Sequence, residues 1–490
     1  MTETRRFIKE SAIYTIGEIL TKSQAIILIP IYTHFLSQSD YGIYSLVITI
    51  WPILVILFGK GFGGYIIRGY YDGEEESKRN NFFGSLILLS VLFSIALALL
   101  IHLFGNNIFS LLFKGISYKP FLQFAVGIAV LKLFINNVLS IYRAKRKPGL
   151  VVVISFITFF ITTVLVLILV VGYKKELLGA LWGQLVALLI VSLFLLIYIK
   201  RDVTYRIDSK YIIPSFMFML PLIPHAIAGW VINLSDRVLI ERFCSLEDLA
   251  IYSLGYQLAM ALEMIINSMN QAWIPFYYSN IENPDNIKEL KKSTTFYFTI
   301  VVLIGYTLSL FSNEIIAVMG KAQYAQSSII FPMIILGYIF YSIYFMTTAP
   351  ILYSKRTYIF PIITVVIGAI NIVLNLLYIP RYGFIVAAYT TILSYFLMFF
   401  LSYLVSLKFH PIPFQKYKMM IILTLAGLLF TVSLLIQNYN IVLQILIKLI
   451  LVILYPLLLI FLNIIPFKEL KKYVSLLLLK HRVKDGDTNK

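Results

Sequence analysis

The chain has 490 residues, 60% of them hydrophobic and 13% charged, and a net charge of +18. Soluble domains carry about 25% charged residues, so the composition excludes an ordinary soluble enzyme or binding module and points to a membrane protein. In a soluble chain the basic excess would suggest nucleic acid; between apolar runs it reports orientation instead, and no nucleic-acid partner is expected. The single cysteine, Cys244, excludes an internal disulfide and leaves no cysteine-based metal site to expect.

The first residues, "MTETRRFIKESAIY", are basic and run into an apolar stretch without a small-residue cleavage site, so they read as a retained first helix. Apolar runs long enough to cross a hydrocarbon core then follow one another to the end of the chain. They cover 11–36, 42–67, 82–104, 120–142, 149–171, 177–199 and 212–242, and then 249–278, 294–312, 328–353, 357–379, 383–407, 418–436 and 440–463. Charge, Gly and Pro mark most joints, as in "YDGEEESKRNN", "RAKRKPG" and "KFHPIPFQKYK". The seventh run opens with "PSFMFMLPLIPHAIAGW", where Pro214, Pro221 and Pro224 predict a broken helix. The expected fold is an all-α polytopic membrane protein of about 14 transmembrane helices.

With the N-terminus inside, 29 of the 41 Lys and Arg fall on the inner side, 7 on the outer side and 5 inside spans. That asymmetry predicts a multi-pass protein of the plasma membrane with both termini cytoplasmic. A repeat adds internal order. "FLSQSDYGIYSLV" (35–47) returns as "FCSLEDLAIYSLG" (243–255), identical at seven of thirteen positions. The first copy joins runs 1 and 2, the second joins runs 7 and 8, and in each a Ser and an Asp before the next apolar run offer a helix N-cap. "SIYRAKR" (140–146) is echoed by "ILYSKR" (351–356). Six helices per copy, pointing the same way, predict two parallel lobes around a central cavity. The expected division is 1–208 for the first lobe, 209–410 for the second, and 411–490 for an appended helix pair and basic tail.

Three stretches carry a family likeness. "LFGKGFGGYIIRGYYDGEEESKRNNFFGSLIL" (57–88), "INLSDRVLIERFCSLEDLAIYSLGYQLA" (232–259) and "ILYSKRTYIFPIITVVIGAINIVLNLLYIPRYGFIVAAYTTILSYFLMFFLSY" (351–403) resemble Wzx-type polysaccharide flippases, within the multidrug/oligosaccharidyl-lipid/polysaccharide exporters. The likeness covers nearly the whole chain and is weakest over the last two helices. It implies transfer of a polyprenyl-diphosphate-linked oligosaccharide from the inner to the outer leaflet by alternating access, for O-antigen, capsule or other surface polysaccharide assembly. A polymerase and glycosyltransferases would then be working partners.

Ionisable residues inside spans are costly and face a protein interior or a hydrated cavity, so they are the default site candidates. Glu18 and Lys22 stand four apart on one helical face. They form either a cationic contact for a diphosphate held by its acid, or a salt bridge within the lobe. Lys60 in "FGKGFGG" sits in the cytoplasmic half of run 2, and Arg68 at its mouth. Both suit phosphate contact, against snorkelling or plain positive-inside anchoring. Lys132 lies deep in run 4, to add positive field or pair with a carboxylate. Asp236 and Arg237 are adjacent on run 7 and need not pair; the likeness implies that Arg237 holds the head group while Asp236 orients it or couples an ion. Glu263, about 13 residues from the outer end of run 8, suits H+ or Na+ coupling. Glu241 and Arg242 are expected to be solvated, Asn371 and Asn375 to fasten helices, and Tyr256 is a candidate sugar platform. No cofactor, metal cluster or nucleophile–base motif is seen.

Inside spans, five bases (Lys22, Lys60, Lys132, Arg237, Lys448) oppose three acids (Glu18, Asp236, Glu263). This balance suits an anionic diphosphate better than the cargo of a multidrug cation antiporter, and it does not separate the flippase from a lipid II flippase. A membrane-embedded polymerase or ligase would need a sizeable outer loop. The longest outer loop expected here is 105–119, so an enzyme is disfavoured.

Overall fold

The computed structural model describes residues 24–71, 76–282, 286–409, 412–436 and 439–464. Within them every regular element is a helix. The first helices are α1 (Gln24–Phe35), α2 (Gln38–Gly59), α3 (Gly61–Gly69), α4 (Glu76–Leu112), α5 (Gln123–Ala144), α6 (Pro148–Leu167) and α7 (Glu176–Tyr198). There follow α8 (Ile212–Met219), α9 (Ile223–Phe243), α10 (Leu246–Asn280), α11 (Ile287–Leu310), α12 (Ser312–Met319) and α13 (Ser327–Tyr353). The chain continues through α14 (Ile359–Tyr382), α15 (Ile385–Ser406), α16 (Lys416–Leu434) and α17 (Ile441–Phe461). Thirteen stretches are long and apolar enough to cross a membrane, and α1 adds a shorter apolar helix, so each of the fourteen expected spans is represented. The protein is an integral, multi-pass membrane protein.

Glycine and proline place the breaks. At Gly59 φ is +115°, and a Cβ there would lie 2.5 Å from Phe62. Only glycine accepts both conditions cheaply, and the second span divides there into α2 and α3. The proline-rich seventh span divides likewise, with a 3₁₀ turn at Leu220–Leu222 between α8 and α9. One expectation fails. The outer loop drawn at 105–119 is mostly helix, because α4 continues to Leu112. "GNN" reads as a turn, but Phe109 buries its ring beside Tyr118, 5.4 Å away. A Cβ on Gly105 would sit 2.8 Å from that tyrosine ring, so the glycine makes room for it inside the helix.

By spatial contact the chain groups into two compact units. Among the described residues, the first holds those up to Met264 with Glu314–Gly337 and Thr357–Met398; the second holds Ile265–Asn313, Tyr338–Arg356 and those from Phe399 on. In the first unit, two ends of the helices are distinguished by what meets there. At one end, here the corner end, Gln38 Nε2 donates to the carbonyls of Glu247 (3.4 Å) and Gln323 (3.3 Å), and Thr33 Oγ1 donates to Met319 O. At the other, Thr204 N donates to Asn80 O, Ser85 Oγ to Arg206 O, and Lys145 pairs with Asp202 at 2.5 Å. In the second unit α11 packs on α16 and α17: Tyr306 donates to Leu451 O and Tyr455 to Ile422 O, with the two rings 5.0 Å apart.

The doubled phrase forms the same structure twice. Ser37 Oγ caps Asp40 N at 3.0 Å, and Ser245 Oγ caps Asp248 N at 3.0 Å; in the second copy Ser245 N donates back to Asp248 Oδ2 at 3.2 Å to complete a capping box, and in the first the Ser37 hydroxyl donates to Asp40 Oδ2 at 2.7 Å. The copies also touch. Ser253 Oγ donates to Ser45 Oγ at 3.0 Å, and these residues occupy equivalent places in the repeat, 208 positions apart. Two equivalent atoms can meet only near the axis that relates the copies. Close approach there needs a missing side chain: a Cβ on Gly42 would lie 2.2 Å from Leu246 O.

Candidate functional site

Glu18 and Lys22 lie outside the described residues. The other candidates separate into two settings within the first unit.

The first setting lies on α3 and α5. Lys60 and Arg68 are exposed, eight residues apart along one helical stretch, and Lys132 is half-exposed on α5. At 1.5 Å per residue, Arg68 stands near the end opposite the corner and Lys60 about 12 Å deeper. Counted from Ala144, Lys132 is about 18 Å in, close to mid-span. Both α2 and α3 pack on α5, and Gly63 lets α3 approach: its Cβ would meet Ser140 Oγ at 2.8 Å and Asn137 Oδ1 at 3.2 Å. Two of these charges lie beside aromatic rings. Lys132 Nζ lies 5.6 Å from the Trp51 ring centre, and the Arg68 guanidinium 5.8 Å from that of Phe218. None of the three has a carboxylate within ion-pair distance among the described residues. A cation at mid-span does not face lipid, so this side faces the protein interior or a hydrated cavity.

The second setting is a closed polar knot of α9, α10 and α15. Asp236 and Arg237 are 1% and 5% exposed. Helix geometry leaves their pairing open; here the neighbours do pair, at 3.6 Å, and Asp236 also accepts from the Arg237 backbone N–H at 2.9 Å. Tyr252 donates its hydroxyl to the second carboxylate oxygen. Arg237 donates to Asn233 O at 3.0 Å and stacks 4.4 Å over the Tyr256 ring. Tyr395 closes the knot on Asn233 Oδ1 at 2.7 Å. Tyr256 is 1% exposed and occupied by the guanidinium, so in this conformation it is no sugar platform.

Glu241 and Arg242 correct the reading of solvated ends. Glu241 is buried, and its carboxylate accepts from the backbone N–H of Gly115 at 2.6 Å and of Lys114 at 3.1 Å. Arg242 donates to Leu111 O at 2.6 Å. The partners are backbone groups 126 or more residues away, so no side-chain pattern announces them. Glu263 is half-buried on α10. The asparagines behave as expected: Asn371 donates to Ser394 Oγ at 3.0 Å and Asn375 to Asn371 Oδ1 at 3.1 Å, with Thr390 donating to Asn375. In the second unit Lys448 is buried, 5.9 Å from the Phe311 ring centre. Among the described residues no cluster of His, Cys, Asp or Glu could hold a metal.

A bundle of spanning helices with a doubled corner defines an all-α polytopic membrane class of fold. Solved structures agree on that fold. The lipid II flippase MurJ in an inward closed conformation superposes with a TM-score of 0.73, at 16% identity, over 94% of this chain and 100% of its own. An inward-facing multidrug-resistance MATE transporter of the MOP superfamily gives 0.65, at 14% identity, over 81% of this chain and 97% of its own. Among curated relatives, protein 1 of the Lsg locus of Haemophilus influenzae is 21% identical over 344 residues, which is 68% of this chain and 81% of that protein. Residues 7–281 match the family described as "Polysaccharide biosynthesis protein", and the chain belongs to that family.

Proposed function

We propose that the protein is a flippase that carries a polyprenyl-diphosphate-linked oligosaccharide from the inner to the outer leaflet during surface polysaccharide synthesis. The observation that carries this reading is the set of cations Lys60, Arg68 and Lys132, two exposed and one half-buried, none held by a described carboxylate. A diphosphate brings the negative charge they lack. Arg68 stands where the head group would enter and Lys60 and Lys132 where it would pass mid-membrane. Membership of a polysaccharide biosynthesis family supports the glycan part of the cargo. The fold supports transport over the chemistry of a polymerase or ligase, and the corner-end loop 113–117 is too short to hold a sugar chain.

In this reading the membrane is the plasma membrane, both termini are cytoplasmic and the corner end faces out, as the distribution of Lys and Arg requires. Glu263 is the candidate for H+ or Na+ coupling, with Glu18 and Lys22 as a further pair. Glycosyltransferases would supply the cargo and a polymerase would consume it. A lipid II flippase is the second reading, favoured by the fold likeness to MurJ.

The test uses proteoliposomes holding the full chain and a labelled polyprenyl-diphosphate oligosaccharide. Protein-dependent exposure of the label to an external glycosidase is expected. An unchanged distribution, with or without an ion gradient, overturns the proposal. Preferential movement of a lipid bearing a muramyl pentapeptide selects the second reading.

A further inference from the structure

A groove of about 420 Å³ opens on the side of the first unit, between α4, α5 and α7 near the corner end. Its size falls within the range of small-molecule sites. No residue of the basic set on α3 and α5 lines it. Two walls are apolar and open: Ile95 is 42% and Leu99 59% exposed, and Trp182 is 50% exposed opposite them. The outer side of α4 carries exposed apolar residues, Leu92, Leu99 and Leu103 among them, a face suited to hydrocarbon. The floor is kept open by Gly127, whose Cβ would meet Leu185 at 2.9 Å.

The groove has a polar end. His102 Nδ1 and Tyr118 Oη lie 3.3 Å apart, and Gln123 lines the wall beside them. The flanking loops carry unusual charge for this face. Of the seven Lys and Arg on the corner side of the chain, four lie on these two loops: Lys114, Lys119, Lys174 and Lys175. All four are exposed; Glu176 follows Lys175, and the buried Glu241 accepts from the Lys114 backbone N–H. Tyr118 lines the groove and Lys119 follows it directly.

We propose that this groove is a lipid site: it holds one acyl chain of an anionic phospholipid of the corner-side leaflet, with the phosphate at His102, Tyr118 and Lys119. The apolar walls take the chain, and the basic rim selects the head group. The bilayer supplies this ligand at high concentration, and the groove opens directly onto it. The site is separate from the transport path and stands whether or not the cargo is a glycan.

The test uses purified full-length protein in detergent, titrated with phosphatidylglycerol or with phosphatidylcholine of the same chains, and read by thermal unfolding. Phosphatidylglycerol is expected to raise the midpoint and phosphatidylcholine to do so much less. K119Q should weaken the phosphatidylglycerol effect roughly fivefold in half-saturating concentration, the loss of one interfacial charge. A98W, which fills the groove, should abolish it. A diazirine-tailed phosphatidylglycerol bound to the unaltered protein should label peptides containing Leu99 or Trp182, so the proposal does not depend on A98W folding. Equal response to the two lipids, label confined to other helices, or displacement by equimolar polyprenyl phosphate would each overturn it.

Discussion

Two sets of cations occupy spans of the same unit in opposite surroundings. Arg237 is enclosed: a carboxylate, a carbonyl and an aromatic ring take up its charge, and Tyr252 completes the carboxylate's own bonds. Lys60 and Arg68 are exposed and Lys132 is half-buried; Arg68 and Lys132 lie beside rings, and none of the three has a described carboxylate partner. A charge already satisfied by the protein has little left to offer a ligand, whereas one not so satisfied gains by meeting an anion. The closed knot is therefore architecture in this conformation, and the open set is the candidate for cargo.

Mutations should split the two sets by what they damage. The largest effect is expected for Arg237→Ala, which leaves Asp236 buried without its partner. Breaking a buried pair in this way costs about 3–5 kcal/mol, so accumulation and thermal midpoint should fall steeply, and D236N/R237Q should recover part of the loss. An Arg237→Ala protein of ordinary stability that no longer transports would move Arg237 into the cargo site. Next, Tyr252→Phe removes a hydrogen bond to a charged group, worth about 1.5–3 kcal/mol; it should lower the thermal midpoint with transport retained per folded molecule. Lys132→Ala and Lys60→Ala should do the reverse. Each should keep the thermal midpoint and lose about tenfold in flipping rate, the equivalent of about 1.4 kcal/mol of lost phosphate contact. Full transport by the double variant would remove these lysines from the path.

The smallest effect concerns Cys244 at the corner end. Burial, reinforced by the Asp248 charge, pushes its thiol up to about 11. A raised value means that thiolate is scarce at neutral pH and grows with pH until about 11. Maleimide labelling in proteoliposomes should therefore rise about tenfold per pH unit from 7 to 9 without levelling off. Restricting the reagent to one side of the membrane also reads which way the corner faces.

Much of this was legible in the chain. Apolar runs marked the spans, because a bilayer demands about 20 apolar residues wherever a helix crosses. The repeat marked the corner, and Ser37–Asp40 with Ser245–Asp248 fold as their spacing predicts. Pro221, with its neighbouring prolines, marked the break in the seventh span. What failed was partner choice. Glu241 sits one position from Arg242 and reads as surface charge, yet it binds backbone N–H groups of a distant turn. Helix geometry left the pairing of Asp236 and Arg237 open; they do pair, and a backbone N–H also holds the carboxylate. The lining of the groove, drawn from three helices, has no local signature at all. Local pattern encodes where a helix starts and stops; which side chain satisfies which distant group is set by packing.

The contact between Ser45 and Ser253 has a historical consequence. A hydroxyl touching its own counterpart is what a symmetric homodimer carries on its two-fold. If the repeat arose by duplication of six helices, the ancestor would have placed this serine against the same serine of a second molecule. The two halves of the present chain, expressed as separate polypeptides, should then find each other in the membrane by the face around that serine.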